Sequence, residues 1–201
     1  MNIPSKYLED AVEQFGSLPG IGKRTALRLV LQLLKRDKNE LERFAEVISH
    51  LKEKVKTCKE CGNISDENHC SICTNPQRNT KLICVVEDVR DVMAIEATGS
   101  YNGIYHVLGG VISPIDGIGP DDLFISPLLQ KCESGNIDEV ILALSATMEG
   151  DTTNFYLYKK CAAFDINITT LSRGISVGSE LHYADEITLS RSLQQRIPFH
   201  T

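Results

Sequence analysis

The stretch "CKECGNISDENHCSIC", Cys58–Cys73, divides the chain into a helical arm before it and an alternating strand-and-helix region after it. Cys58, Cys61, Cys70 and Cys73 form two C-x-x-C pairs across a short polar loop. Two residues between thiolates let one tight turn present both sulfurs to a single ion. Two such turns complete a tetrahedron around zinc with no position left for substrate, which predicts a structural site. A redox reading needs one pair at a helix start in a βαβ setting, and two pairs this close favour metal. The segment is too short and polar to bury a core, so the ion would supply what packing cannot. His69, beside Cys70, is a weaker ligand candidate and reads rather as a surface residue. Cys84, Cys132 and Cys161 fall on apolar segments and read as small buried hydrophobes.

On the N-terminal side, "YLEDAVEQF", "RTALRLVLQLL" and "NELERFAEVISHLKEKV" read as three helices. In the third, Leu41, Phe44, Ile48, Leu51 and Val55 recur at three- and four-residue steps and define one apolar face, with Asp37 or Asn39 as its cap. The second is apolar around most of its circumference, leaving a polar stripe at Arg24, Arg28 and Gln32. Such a helix needs cover on several sides, which predicts packing against another domain or subunit.

Between the first two helices runs "LPGIGKR". A phosphate-binding P-loop requires glycine, four residues, then Gly-Lys and Ser or Thr. Here Gly16 and Gly22 are separated by five residues, Arg24 follows Lys23, and the turn follows a helix instead of a strand. What remains is a helix-hairpin-helix. Gly20 and Gly22 permit left-handed torsions and close backbone approach, while the N–H groups opening the next helix face an anion. Lys23, Arg24 and Arg28 add positive charge beside them, an arrangement suited to a DNA phosphate that reads no base sequence. The competing reading is a plain interhelical turn.

On the C-terminal side, "LICVVE", "GIYHVLGG", "EVILALS" and "INITTLS" alternate with helical segments, the signature of a parallel sheet with crossover helices. Gly109–Asp122 reads as a long loop, and a last helix is expected to stop before Pro198. Glu87 follows the first of these strands, and Glu149 and Asp151 follow a later one. Carboxyl ends of neighbouring parallel strands converge at a crevice, so these acids would either hold magnesium or stand as solvated or partner-docking groups. Tyr156 and Tyr158 lie on a helical stretch and are expected to pack.

The 201 residues are 42% hydrophobic and 24% charged, ordinary for a globular chain. No apolar run is long enough to cross a bilayer and the first residues lack a signal-peptide pattern, so a cytoplasmic, non-membrane protein is expected. The formal net charge of −6 is uneven: Met1–Lys56 carries +3 and the remainder −9. A mildly basic arm on an acidic body keeps nucleic acid open as a partner, because binding follows the local field.

In this order, the helix-hairpin-helix, the four cysteines with Ser65, Ile72 and Arg78 in register, "LGGVISPIDGIGPDDL" and "GISVGSELHYADEITL" resemble the bacterial RecR family of recombination mediators over the whole length. The resemblance implies a multidomain α + α/β fold: a helix-hairpin-helix over residues 1–56, a four-cysteine zinc finger over 57–78, a Toprim domain over 80–176 and an oligomerisation segment over 177–201. It implies a non-catalytic clamp on single- and double-stranded DNA, built as a tetrameric ring. It further implies action with a RecO-like protein, and with a RecF-like one in some systems, in loading RecA at gaps. Lys23, Arg24 and Arg28 fall at the family's basic contacts, and Glu87 at the Toprim strand-end glutamate. Glu149-Gly150-Asp151 departs from the Asp-x-Asp of Toprim enzymes, which weakens magnesium binding. The alternative is a magnesium-dependent Toprim nuclease or primase-like enzyme using those three acids.

Overall fold

The computed structural model describes residues 3–176 and 178–198. The chain divides into two compact units, Met1–Lys54 and Val55–Thr201.

The first unit is helical. Helix α1 (Lys6–Gly16) opens on Ser5, whose side chain accepts the Leu8 N–H. It packs on α2 (Lys23–Leu33), burying Val12, Ala26 and Val30, with Leu8, Phe15 and Leu27 around them. Helix α3 (Lys38–Lys54) is capped by Asp37, whose carboxylate accepts the Glu40 N–H at 2.9 Å. The apolar face predicted for α3 exists but is uncovered: α3 buries no residue, and Leu41, Ile48, Leu51 and Val55 are exposed. Leu29 and Leu31 of α2 and Leu34 at its C-cap are exposed as well. Three fully buried side chains make a core too small to occupy both faces, so the apolar surface exceeds what this unit can cover itself.

The second unit begins with a two-stranded ribbon, β1 (Lys56–Thr57) against β2 (Ile64–Ser65), that carries the cysteine turns. Then follow β3 (Asn79–Val86), α4 (Val89–Ala97), β4 (Gly103–Val107), α5 (Ser126–Glu133), β5 (Glu139–Leu142), α6 (Met148–Cys161), β6 (Asn167–Thr170) and α7 (Glu186–Gln194). The four longer strands make one parallel sheet in the order β4-β3-β5-β6. The second half of β3, Ile83–Val86, is buried on both faces, which is why it reads as a continuous apolar run. Ile83 and Val85 enter the core formed with Leu128 of α5, Leu157 of α6, Val140 and Leu142. Cys84 and Val86 point the other way, to Val92 of α4, Tyr105, Val107 and Ala143. Ile72 of the cysteine segment packs on that second cluster.

Cys84, Cys132 and Cys161 are buried, as their apolar settings predict; burial pushes the Cys84 thiol up to about 12. Tyr156 packs against the core, but Tyr158 is half exposed, because it lines an open cleft between α6 and the β6 side of the sheet instead of entering the core. The Gly109–Asp122 loop contains a Ser113–Ile118 bridge and a 3-10 turn at Pro120–Asp122. Among the described residues no helix is long and apolar enough to cross a membrane.

Candidate nucleic-acid turn, metal centre and acidic strand ends

The turn between α1 and α2 separates its two glycines by role. Gly20 stands at φ +78° with open space around it, so the requirement for glycine there is torsional. Gly22 does not use the left-handed region, contrary to expectation: as N-cap of α2 its φ is −78°. A Cβ there would meet nothing within 4 Å. No atom of this chain requires Gly22 to be bare; what its absent side chain leaves is room for a molecule approaching the backbone. No side chain caps α2, so its first N–H groups stay open, in contrast to α1, α6 and α7. Lys23, Arg24 and Arg28 are all exposed, and none forms an ion pair among the described residues. The turn therefore offers open donors, a bare backbone and three free cations together.

The four cysteines meet as their spacing predicts. Their Sγ atoms all lie within 4.8 Å of one another, with Cys61 and Cys70 3.6 Å apart. Tetrahedral zinc, with bonds of about 2.3 Å to sulfur, sets sulfur–sulfur edges of about 3.8 Å. The donor set fits zinc and leaves no open position. Each turn is pinned by its backbone: Gly62 N–H donates to the Cys58 carbonyl at 2.9 Å, and Thr74 N–H to that of Cys70 at 3.1 Å. Burial opposes ionisation of Cys58, but N–H groups of Cys70, Cys61 and Glu60 outweigh it and bring this thiol down to about 7. Cys61, hydrogen-bonded to Cys73 and buried, is pushed up, and so is the buried Cys70. Four sulfurs this close ionise together only around a cation, and a structural zinc supplies it. His69 is exposed and takes no part in the group.

The metal segment is joined to the sheet. Val107 N–H of β4 donates to the Cys61 carbonyl at 2.7 Å, and Lys131 of α5 bonds the Glu60 carbonyl and pairs with its carboxylate. Gly62, at φ +76°, lies so close to β4 that a Cβ would stand 2.5 Å from the Val107 carbonyl oxygen. Arg78 ends the segment with a bidentate bond to Glu96 of α4, whose carboxylate also accepts the Tyr105 hydroxyl at 2.7 Å. These ties explain why the cysteine segment belongs to the same compact unit as the sheet.

Glu87 sits just past β3, beside the point where the strand order reverses between β3 and β5. It accepts the Ser145 hydroxyl at 3.0 Å. Glu149 and Asp151 lie in the first turn of α6, where acids complement the helix dipole. The expected convergence of the three is absent: among the described residues the cysteines are the one group gathered closely enough to hold a metal. Asp151 instead receives Arg173 at 2.6 Å and Arg191 at 3.3 Å. No local pattern points to those two arginines, which lie 22 and 40 positions further along the chain.

Family profiles match along the chain: the RecR helix-hairpin-helix over residues 8–52, the RecR four-cysteine zinc finger domain over 55–75, the Toprim domain over 81–172 and the RecR C-terminal segment over 174–197. A "Recombination protein RecR" of Flavobacterium johnsoniae is 59% identical over 199 residues, covering 99% of this chain and 97% of the relative. One of Bacteroides thetaiotaomicron is 59% identical over 196 residues, covering 98% and 96%. One of Amoebophilus asiaticus is 52% identical over 200 residues, covering both chains fully. With four successive profiles and full-length relatives in agreement, the chain belongs to the RecR family of recombination proteins.

Proposed function

We propose that this protein is a sequence-independent DNA-binding clamp and adaptor in recombinational repair, without catalysis of its own. The observation that carries the reading is the α1–α2 turn, where a bare Gly22, an uncapped helix start and the free cations Lys23, Arg24 and Arg28 stand together. Contacts of this kind neutralise phosphates and read no bases. One turn grips weakly, so useful affinity comes from several copies acting on one DNA. The uncovered leucines of α2 and α3, and Leu181, Tyr183, Ile187 and Leu193 in the last segment, support a homo-oligomer, a tetrameric ring by family resemblance. The adaptor role is action with a RecO-like partner, and a RecF-like one where present, in loading RecA at single-stranded gaps. Zinc holds the cysteine segment together, and Glu87 and Glu149 offer an acidic face to a basic partner.

The test is the salt dependence of binding to single-stranded DNA. Each phosphate contact contributes about 0.7 to the slope of log affinity against log salt. Lys23→Ala with Arg28→Ala should lower the slope by roughly 1.4 per bound subunit, with zinc content and assembly mass unchanged. An unaltered slope would remove DNA binding from this turn.

A further inference from the structure

The last described helix is held to the sheet in an unusual way. Helix α7 buries none of its residues, and Ile187 and Leu193 are each two-thirds exposed. Its remaining side-chain bonds are local: Thr188 with its cap Asp185, and Ser192 to the Thr188 carbonyl. Among the described residues, the bond from Arg191 Nη2 to Asp151 Oδ2 is the one side-chain hydrogen bond that ties α7 to another element. Arg173, in the strand-to-helix connection after β6, takes the other oxygen of the same carboxylate. Both oxygens of Asp151 are therefore committed to guanidinium groups on the C-terminal part of the chain. The position of Asp151 is itself firm, one turn into α6, whose start is capped by Thr147. The helix dipole favours a negative charge there before any arginine arrives.

We propose that Asp151 is the anchor of the C-terminal segment, gripped by Arg173 and Arg191, and is not a cation ligand. A divalent ion would have to displace two guanidinium groups to reach it. Among the described residues, Glu87, Glu149 and Asp151 do not gather into a three-ligand group that could hold it. The acidic position after β5 has been turned from ion chemistry to the placement of α7. Arg173 adds a second strand to the tie: it is only 22% exposed at its side chain, so it holds the carboxylate from the sheltered side while Arg191 approaches from the open one.

The test is amide hydrogen exchange over residues 186–194 in the full-length, zinc-loaded protein, with Mn²⁺ binding followed by electron paramagnetic resonance. Asp151→Asn keeps the shape and removes the charge; Arg191→Gln cuts the tie without touching α6. Each should speed exchange in α7 by roughly two- to fivefold, the range of a partly exposed ion pair. The double variant should be no faster than Asp151→Asn alone, because that change has already removed the interaction that Arg191→Gln removes. Amides of β3 should keep wild-type rates, and Mn²⁺ binding should be the same in wild type and Asp151→Asn. Wild-type α7 exchange in both single variants would overturn the anchor, and weaker Mn²⁺ binding in Asp151→Asn would restore the carboxylate to a cation site. Neither result bears on the DNA turn, which is read by its own salt slope.

Discussion

Replacing Gly62 by alanine separates torsion from crowding at the junction of metal segment and sheet. Gly62 and Gly117 have nearly the same φ, +76° and +73°, within the same unit. A Cβ at Gly117 meets nothing within 4 Å, whereas one at Gly62 meets the Val107 carbonyl oxygen at 2.5 Å and Phe124 at 3.1 Å. The left-handed conformation alone costs an L-residue about 1–2 kcal/mol, and Gly117→Ala should lose that much. At Gly62 the β4 carbonyl cannot retreat as a flexible side chain would, and its movement strains the Val107–Cys61 bond, worth about 1 kcal/mol. Gly62→Ala should therefore lose about 2–4 kcal/mol, on the order of twice the effect at Gly117. The assay is urea unfolding of both zinc-loaded variants, with zinc content measured alongside. If the two agreed within about 0.5 kcal/mol, the ordinary scatter of surface substitutions, the docking of this turn on β4 would carry no energetic weight.

His106 is fully buried on β4, its Nε2 donating to the Phe124 carbonyl and its Nδ1 without a partner among the described residues. Burial brings its pKa down to about 4 from 6.5, so the unfolded chain takes up a proton that the folded one refuses. The associated stability is present above pH 6.5 and is lost as pH falls toward 4, about 3 kcal/mol in all; His106→Gln should flatten that limb of a stability–pH curve. Arg78 holds the Glu96 carboxyl below its usual range, which stabilises the fold above the ordinary carboxylate pKa and fades as pH drops through it. Glu96→Gln should remove that acid dependence, and Arg78→Met should destabilise by about 2 kcal/mol by stripping a charged hydrogen bond from the site. Zinc removal by a chelator, or Cys58→Ser with Cys61→Ser, should lower the melting temperature of the second unit while the α1–α2 helical signal persists, as differential calorimetry with circular dichroism would register.

What is legible in the sequence is what local spacing encodes. Two C-x-x-C pairs dictate a tetrahedral cluster because each turn is closed by its own backbone, and the four sulfurs meet accordingly. The cap of α3 is narrowed by sequence to Asp37 or Asn39, and Asp37 takes it, accepting the N–H three residues on. The unbroken apolar run Ile83–Val86 announces a strand covered on both faces. Gly20 and Gly22 look alike in sequence, yet only one needs its torsion, since the distinction depends on which way the chain turns. The fate of Asp151 is hidden because its partners are Arg173 and Arg191, whose approach is set by the path of the segment after β6. The α3 face is apolar as its spacing indicates, but periodicity reports a face and not its cover.

The bond between Val107 and Cys61 has a consequence beyond attachment. Strand β4 is the outermost strand on its side of the sheet, and an outermost strand offers free backbone donors to any extended chain that passes. The Cys61 carbonyl occupies one of those donors, and the turn around Gly62 stands against the strand's end. The zinc module thus works as a guard rail, denying the sheet an extra strand from a neighbour. In a protein read as an assembly of several copies on one DNA, that keeps the β4 edge out of association between copies and leaves β6 as the sheet's other edge.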